Sequence, residues 1–183
     1  MYSAIHSGKD IEAALSGQMT TPYFPIQLSD MSASMKFNVI RGDENVQIGN
    51  VAIKNISLNH PGGSSGYKII CDNKCITYIS DHEHTEESKQ KTIDFLKNSN
   101  LVIFDAHYTP EEYSGSDGGS GRKGWGHSTW KDAVMLCREA NIDQLILTHH
   151  GREDLEIDII EIEAQKELRN TIAAYEGLEI DIR

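Results

Sequence analysis

The feature of this 183-residue chain that most limits what it can become is where its histidines and aspartates fall. Short runs rich in Val, Ile and Leu, of the length and composition of buried strands, end one after another on a side chain able to bind a metal. The run ending at Leu58-Asn59 leads to His60, and Ile76–Ser80 leads to Asp81. Leu101–Phe104 runs into Asp105-Ala106-His107, and Leu145–Thr148 into His149-His150. In layered α/β proteins the C-terminal ends of strands form the edge where ligands bind. Imidazole nitrogens with a carboxylate suit zinc, manganese or iron. One histidine after one strand is ordinarily a polar loop residue; the same coincidence four times points to a site.

The remaining segments predict a mixed order of strands and helices, hence α/β (α+β by strict count) with helices on a mixed sheet. A first helix is expected from Lys9 to about Ser16, capped by Ser7 and stopped by Gly17. Met35–Leu58 alternates as two strands joined at Arg41–Glu44, and Tyr67–Cys71 with Cys75–Ser80 reads as a hairpin. Glu86–Leu96, after Thr85, and a segment from Trp130, capped by Ser128 or Thr129, read as helices. Asp154–Glu176 reads as a long helix ended by Gly177, with Leu178–Ile182 as a closing strand. The Gly/Ser-rich stretch 113–126 is expected to be a mobile surface loop inside a single domain spanning residues 1–183.

Charge and composition exclude some roles. A net charge of −11 argues against broad nucleic-acid or anionic-membrane binding. No apolar run approaches the roughly 18 residues a membrane span needs, and the N-terminus has no secretory character. Cys71, Cys75 and Cys137, an odd number without zinc-finger spacing, fit reduced thiols and a cytoplasmic protein.

The motifs also carry a resemblance. Asn59-His60-Pro61-Gly62-Gly63-Ser64-Ser65-Gly66, Tyr78-Ile79-Ser80-Asp81, Gly126-His127-Ser128-Thr129 and Leu147-Thr148-His149 occur in the order of metal-site segments of metallo-β-lactamase-fold hydrolases. They are most similar to the branch of ribonuclease Z and the cyclic-phosphate phosphodiesterases. The resemblance spans about residues 58 to 150 and implies a partial αββα sandwich. It implies a phosphodiesterase-like hydrolase that uses a metal-activated hydroxide, with zinc (or manganese or iron) in a dinuclear site. His60 and His149 would then be terminal ligands, Asp81 the bridge and His127 the general acid or a donor to a developing oxyanion, with His150 and His107 behind the ligands or against the substrate.

The family's defining His-x-His-x-Asp-His element has no counterpart upstream of His60. His82-Glu83-His84-Thr85 comes too late in the order and lacks the closing Asp-His. The chain alone therefore offers three ligands, fewer than the usual four of a closed zinc site. Three readings remain: a hydrolase of small phosphodiesters completed by an N-terminal segment, a non-catalytic binding or assembly protein, and a thioester or lactam hydrolase on the same fold. A sandwich short of one sheet should also leave strand faces near Val39, Val51, Ile53 and Ile103 uncovered, favouring a homo-oligomer.

Overall fold

The computed structural model describes residues 1–41, 44–151 and 157–182. Strands β1 (Tyr2–Ser3) and β2 (Asn38–Val39) pair in parallel, with α1 (Ile11–Gln18) and a 3-10 turn at Leu28–Asp30 between them. All other strands form one sheet in sequence order: β3 (Val46–Ile48), β4 (Val51–Leu58), β5 (Ser64–Cys71), β6 (Lys74–Ile79), β7 (Leu101–Asp105), β8 (Gln144–Thr148) and β9 (Asn170–Ala173). Pairing is antiparallel from β3 to β6, where short turns suffice; Asp72 and Asn73, both at positive φ, make the β5–β6 turn. From β6 to β9 it is parallel, and parallel neighbours need crossovers. These are α2 (Glu86–Leu96), α3 (Pro110–Ser114) with α4 (Trp130–Glu139), and α5 (Ile157–Glu167). Crossovers of one hand that always advance in the same direction leave their helices on one face of a sheet.

The core lies between that helical layer and the sheet. Ile79, Val102, Phe104 and Leu147 from the strands meet Leu96 of α2 and Val134 of α4, all but inaccessible to solvent. The other face is also apolar. Tyr67, Tyr78, Ile103, Ile146 and Ile172 stand in register across it, yet Ile69 and Tyr78 are 37% and 40% exposed. An apolar hollow of about 230 Å³ opens there between Tyr2, Ile53, Tyr67 and Tyr78. Val39, Val51, Ile53 and Ile103 are each partly exposed. No helix among the described residues is long and apolar enough to cross a membrane.

Several elements depart from the sequence expectation. Helix α1 starts at Ile11, capped by the Asp10 carboxylate rather than by Ser7, and Gly17 lies inside it. Asn38–Val39 pairs with β1 and is not half of a hairpin turning at Arg41–Glu44, of which Gly42 and Asp43 lie outside the described residues. The hairpin turn falls instead at Gly49-Asn50, where Gly49 has φ +60°. The long helix predicted from Asp154, whose first residues lie outside the described ones, ends at Glu167. The closing strand is Asn170–Ala173, not Leu178–Ile182, because Thr171 and Ile172 pair with exposed backbone of β8; tertiary pairing overrides helical patterning there. The Gly/Ser-rich stretch begins inside α3, so Tyr113 and Ser114 are helical.

Candidate metal centre

Because β6, β7 and β8 are adjacent and parallel, their C-terminal ends share one edge. Asp81 lies just beyond β6, Asp105 ends β7, His149 follows β8, and the loop before α4 returns to the same edge with His127. One donor atom from each of these four residues lies within 4.8 Å of all the others; His107, His127 and His149 form an overlapping group. His149 Nδ1 is 3.2 Å from Asp81 Oδ1 and 3.6 Å from Asp105 Oδ2. His127 Nδ1 is 2.8 Å from Asp105 Oδ2 and 3.9 Å from Asp81 Oδ1. Two of the four residues hold left-handed backbones, Asp81 at φ +55° and His149 at φ +61°. That conformation strains a residue with a Cβ by about 1–2 kcal/mol, and such strain gathers where the surrounding structure imposes a functional geometry. Here it turns each side chain back over the strand end.

Asp105 is the pivot. Its carboxylate is fully buried and accepts from the His82 and His107 N–H groups, each at 3.1 Å, as well as from His127 Nδ1. Burial alone would raise its pKa, but the His149 and His127 imidazoles and the His82 amide outweigh that and hold it below the usual carboxylate range. In return the Asp105 carboxylate, opposed by burial and aided by Asp81, raises the pKa of His149. Sequence reasoning placed Asp105 at a strand end but gave it no role. The available signal was an acid closing the otherwise apolar run Leu-Val-Ile-Phe, a buried position acids rarely take without partners.

Around this pivot the imidazoles pack ring against ring. His127 stacks on His107 with centroids 4.5 Å apart and meets His149 edge-on at 4.7 Å. His107 donates through Nδ1 to the His149 carbonyl at 3.0 Å; burial lowers its pKa, opposed by that bond and reinforced by the neighbouring His127. His60 stands beside His127 at 5.4 Å between ring centroids but outside both donor groups. His150 lies apart, in a hollow with Thr148, Ala174 and Tyr175; burial lowers its pKa, opposed by the Ala174 backbone and aided by His149. His82 is buried against Phe104, its Nδ1 accepting from Asn59 N–H. Burial, with repulsion from His84, lowers its pKa to about 4 and keeps it neutral.

The loop that delivers His127 is secured by Glu83, which the sequence offered, with His82 and His84, only as a group tuning the region of Asp81. The Glu83 side chain accepts the Tyr113 hydroxyl at 2.6 Å, Gly124 N–H at 2.7 Å and Gly126 N–H at 2.9 Å. Burial works against its charge, yet these bonds keep its pKa below normal; burial and Glu83 together push the Tyr113 phenol upward, so it stays a donor. Gly126 has φ +94°, and a Cβ there would lie 2.4 Å from His60 Cδ2, so only glycine lets the loop pass between His60 and the sheet edge. Ser128 is not the α4 cap. Thr129 takes that place by accepting from Asp132 N–H, and Ser128 turns inward to the His82 carbonyl.

A mixed sheet with helices packed on one face and carboxylates and imidazoles gathered at its strand ends defines a class of metal-site α/β proteins. The chain belongs to the beta-lactamase superfamily domain family, whose model matches residues 6–150. Ribonuclease Z of Archaeoglobus fulgidus is 30% identical over 112 residues, covering 58% of this chain and 32% of that protein. Ribonuclease Z of Halalkalibacterium halodurans is 31% identical over 88 residues, covering 48% and 26%. The chain thus spans about a third or less of these curated relatives. Among solved structures, the metallo-beta-lactamase fold protein YhfI of Bacillus subtilis superposes with a TM-score of 0.66 at 19% identity, over 78% of this chain and 54% of that one. A diphosphatase of the PhnP family gives 0.56 at 15% identity, over 85% and 53%. These likenesses show the metallo-β-lactamase fold.

Proposed function

We propose that this chain carries part of the active centre of a metal-dependent phosphodiester hydrolase. The observation that carries the reading is the convergence of Asp81, Asp105, His127 and His149 donor atoms at one sheet edge. The Asp81 carboxylate and the His149 imidazole within this group fit a divalent cation of the zinc, manganese or iron type, with Asp105 and His127 as a hydrogen-bonded pair beside them. The ribonuclease Z and PhnP-family relatives favour a phosphodiester over a thioester or lactam. When bound, such a cation supplies Lewis acidity and lowers the pKa of water.

The chain's own groups account for holding the ion and moving a proton. Asp81 and His149 face one another across the edge and would hold the cation, with His60 the further ligand the motif resemblance implies. His127 Nδ1–H donates to Asp105, which fixes the ring and its tautomer. The other nitrogen, Nε2, can then deliver a proton to a leaving oxygen. His107, stacked on His127, would contact the substrate. We propose further that the missing donors, and a cover for the apolar face holding Ile69 and Tyr78, come from a complementing polypeptide segment on the N-terminal side.

Metal content and turnover test this. Wild-type chain dialysed against zinc or manganese should retain the ion and His149→Ala should lose it; a chain that retains none refutes the metal centre. Hydrolysis of bis-p-nitrophenyl phosphate by the isolated chain should be near background. A fragment bearing His-x-His-x-Asp-His should restore it, and His127→Ala should then reduce it roughly 10²–10⁴-fold. Chelator-sensitive, His60-dependent turnover by the isolated chain would refute the need for a complementing segment.

A further inference from the structure

The segment Gly121-Arg122-Lys123-Gly124-Trp125-Gly126 leads directly into His127. Four of its amides are tied down: Arg122 N–H donates to the Tyr113 carbonyl at 2.9 Å, Trp125 N–H to the Arg122 carbonyl at 3.1 Å, and Gly124 and Gly126 to Glu83. Yet this anchored loop presents, two positions before His127, an indole that is 59% exposed. The Arg122 guanidinium lies 5.1 Å over the ring. It donates to Ser120 Oγ at 3.3 Å and to the Gly121 carbonyl at 3.2 Å, and no carboxylate pairs with it among the described residues. A chain of net charge −11 thus keeps a positioned cation, without a carboxylate partner among the described residues, over an exposed indole that lies two positions before the proposed proton donor.

We propose that Trp125 is a stacking platform for a planar heteroaromatic ring of the substrate, with Arg122 meeting the attached phosphoryl group. The substrate class is then a nucleotide phosphodiester. This deepens the hydrolase reading and rests on it. An indole face accepts any nucleobase, because every base presents a π-face, and a guanidinium fork matches phosphate oxygens. The remaining surface charge repels a long polyanion, which confines the ligand to a mononucleotide or the end of a strand.

Adenosine 5′-monophosphate and ribose 5-phosphate test the platform, with binding followed by tryptophan emission and calorimetry in the presence of a chelator. Trp130, the other tryptophan, packs against the core, so quenching reports Trp125. The nucleotide should bind about 5- to 100-fold more tightly than the sugar phosphate, the range one stacked base supplies. Trp125→Ala should abolish that preference, Trp125→Phe should keep most of it, and Arg122→Gln should weaken both ligands alike. Equal binding of the two ligands, binding of neither, or a preference that survives Trp125→Ala overturns the proposal. Since the assay needs no metal, a base preference in a protein that never hydrolyses a phosphodiester when complemented would sink the hydrolase reading alone; hydrolysis without the preference would sink only the platform.

Discussion

Replacing Glu83 by Gln removes a charge and one acceptor from a group 4% exposed, and the consequence can be worked from its three bonds. One carboxylate oxygen serves both Tyr113 OH and Gly124 N–H; the other serves Gly126 N–H. A glutamine turned to keep the first pair sets its NH₂ against the Gly126 N–H. That leaves one buried donor unsatisfied, at about 1–3 kcal/mol, and reduces two charge-assisted bonds to neutral ones, at about 1 kcal/mol each. Allowing for relaxation of the loop, a loss of about 2–4 kcal/mol is expected. For a chain of this length each kcal/mol corresponds to a shift in Tm of roughly 2–4 °C. Urea and thermal unfolding by circular dichroism measure the loss. Tryptic cleavage after Arg122 and Lys123 reports whether it is felt in the loop, because release of Gly124 and Gly126 frees the backbone that shields those bonds. Tyr113→Phe, which removes a single donor, should cost about 1–2 kcal/mol and couple to Glu83→Gln with less than additive effect. A Glu83→Gln protein destabilised by less than about 1 kcal/mol, with cleavage unchanged, would refute the clasp.

The left-handed backbone at His149 gives a second expectation: His149→Gly and His149→Ala should both lose the metal, yet the glycine variant should be the more stable by about 1 kcal/mol in urea titration, since only alanine keeps a Cβ at φ +61°. Equal stabilities would show that the strain is absent. The partly exposed apolar face gives a third. Light scattering on the isolated chain should show association that Ile69→Lys or Tyr78→Lys suppresses, whereas a wild type monomeric at high concentration would show that the face needs no cover.

Much of this protein was legible in its sequence because the signals were local. Thr85 before an acidic turn marked α2 to the residue, and the apolar runs marked β7 and β8. The strand-end pattern singled out Asp81, His107 and His149, and the Gly-His-Ser-Thr motif singled out His127. What the sequence alone could not decide were relations between distant segments. Whether residues near Ile172 extend a helix or close the sheet depended on free hydrogen-bonding groups along β8, which no helical pattern records. Glu83 stood out only as a neighbour of Asp81 until the fold brought Tyr113, Gly124 and Gly126 to it from 30 to 43 positions away. Asp105 became the pivot only when parallel pairing set β6 and β8 on either side of β7, for a buried carboxylate is stable only among donors that tertiary structure supplies.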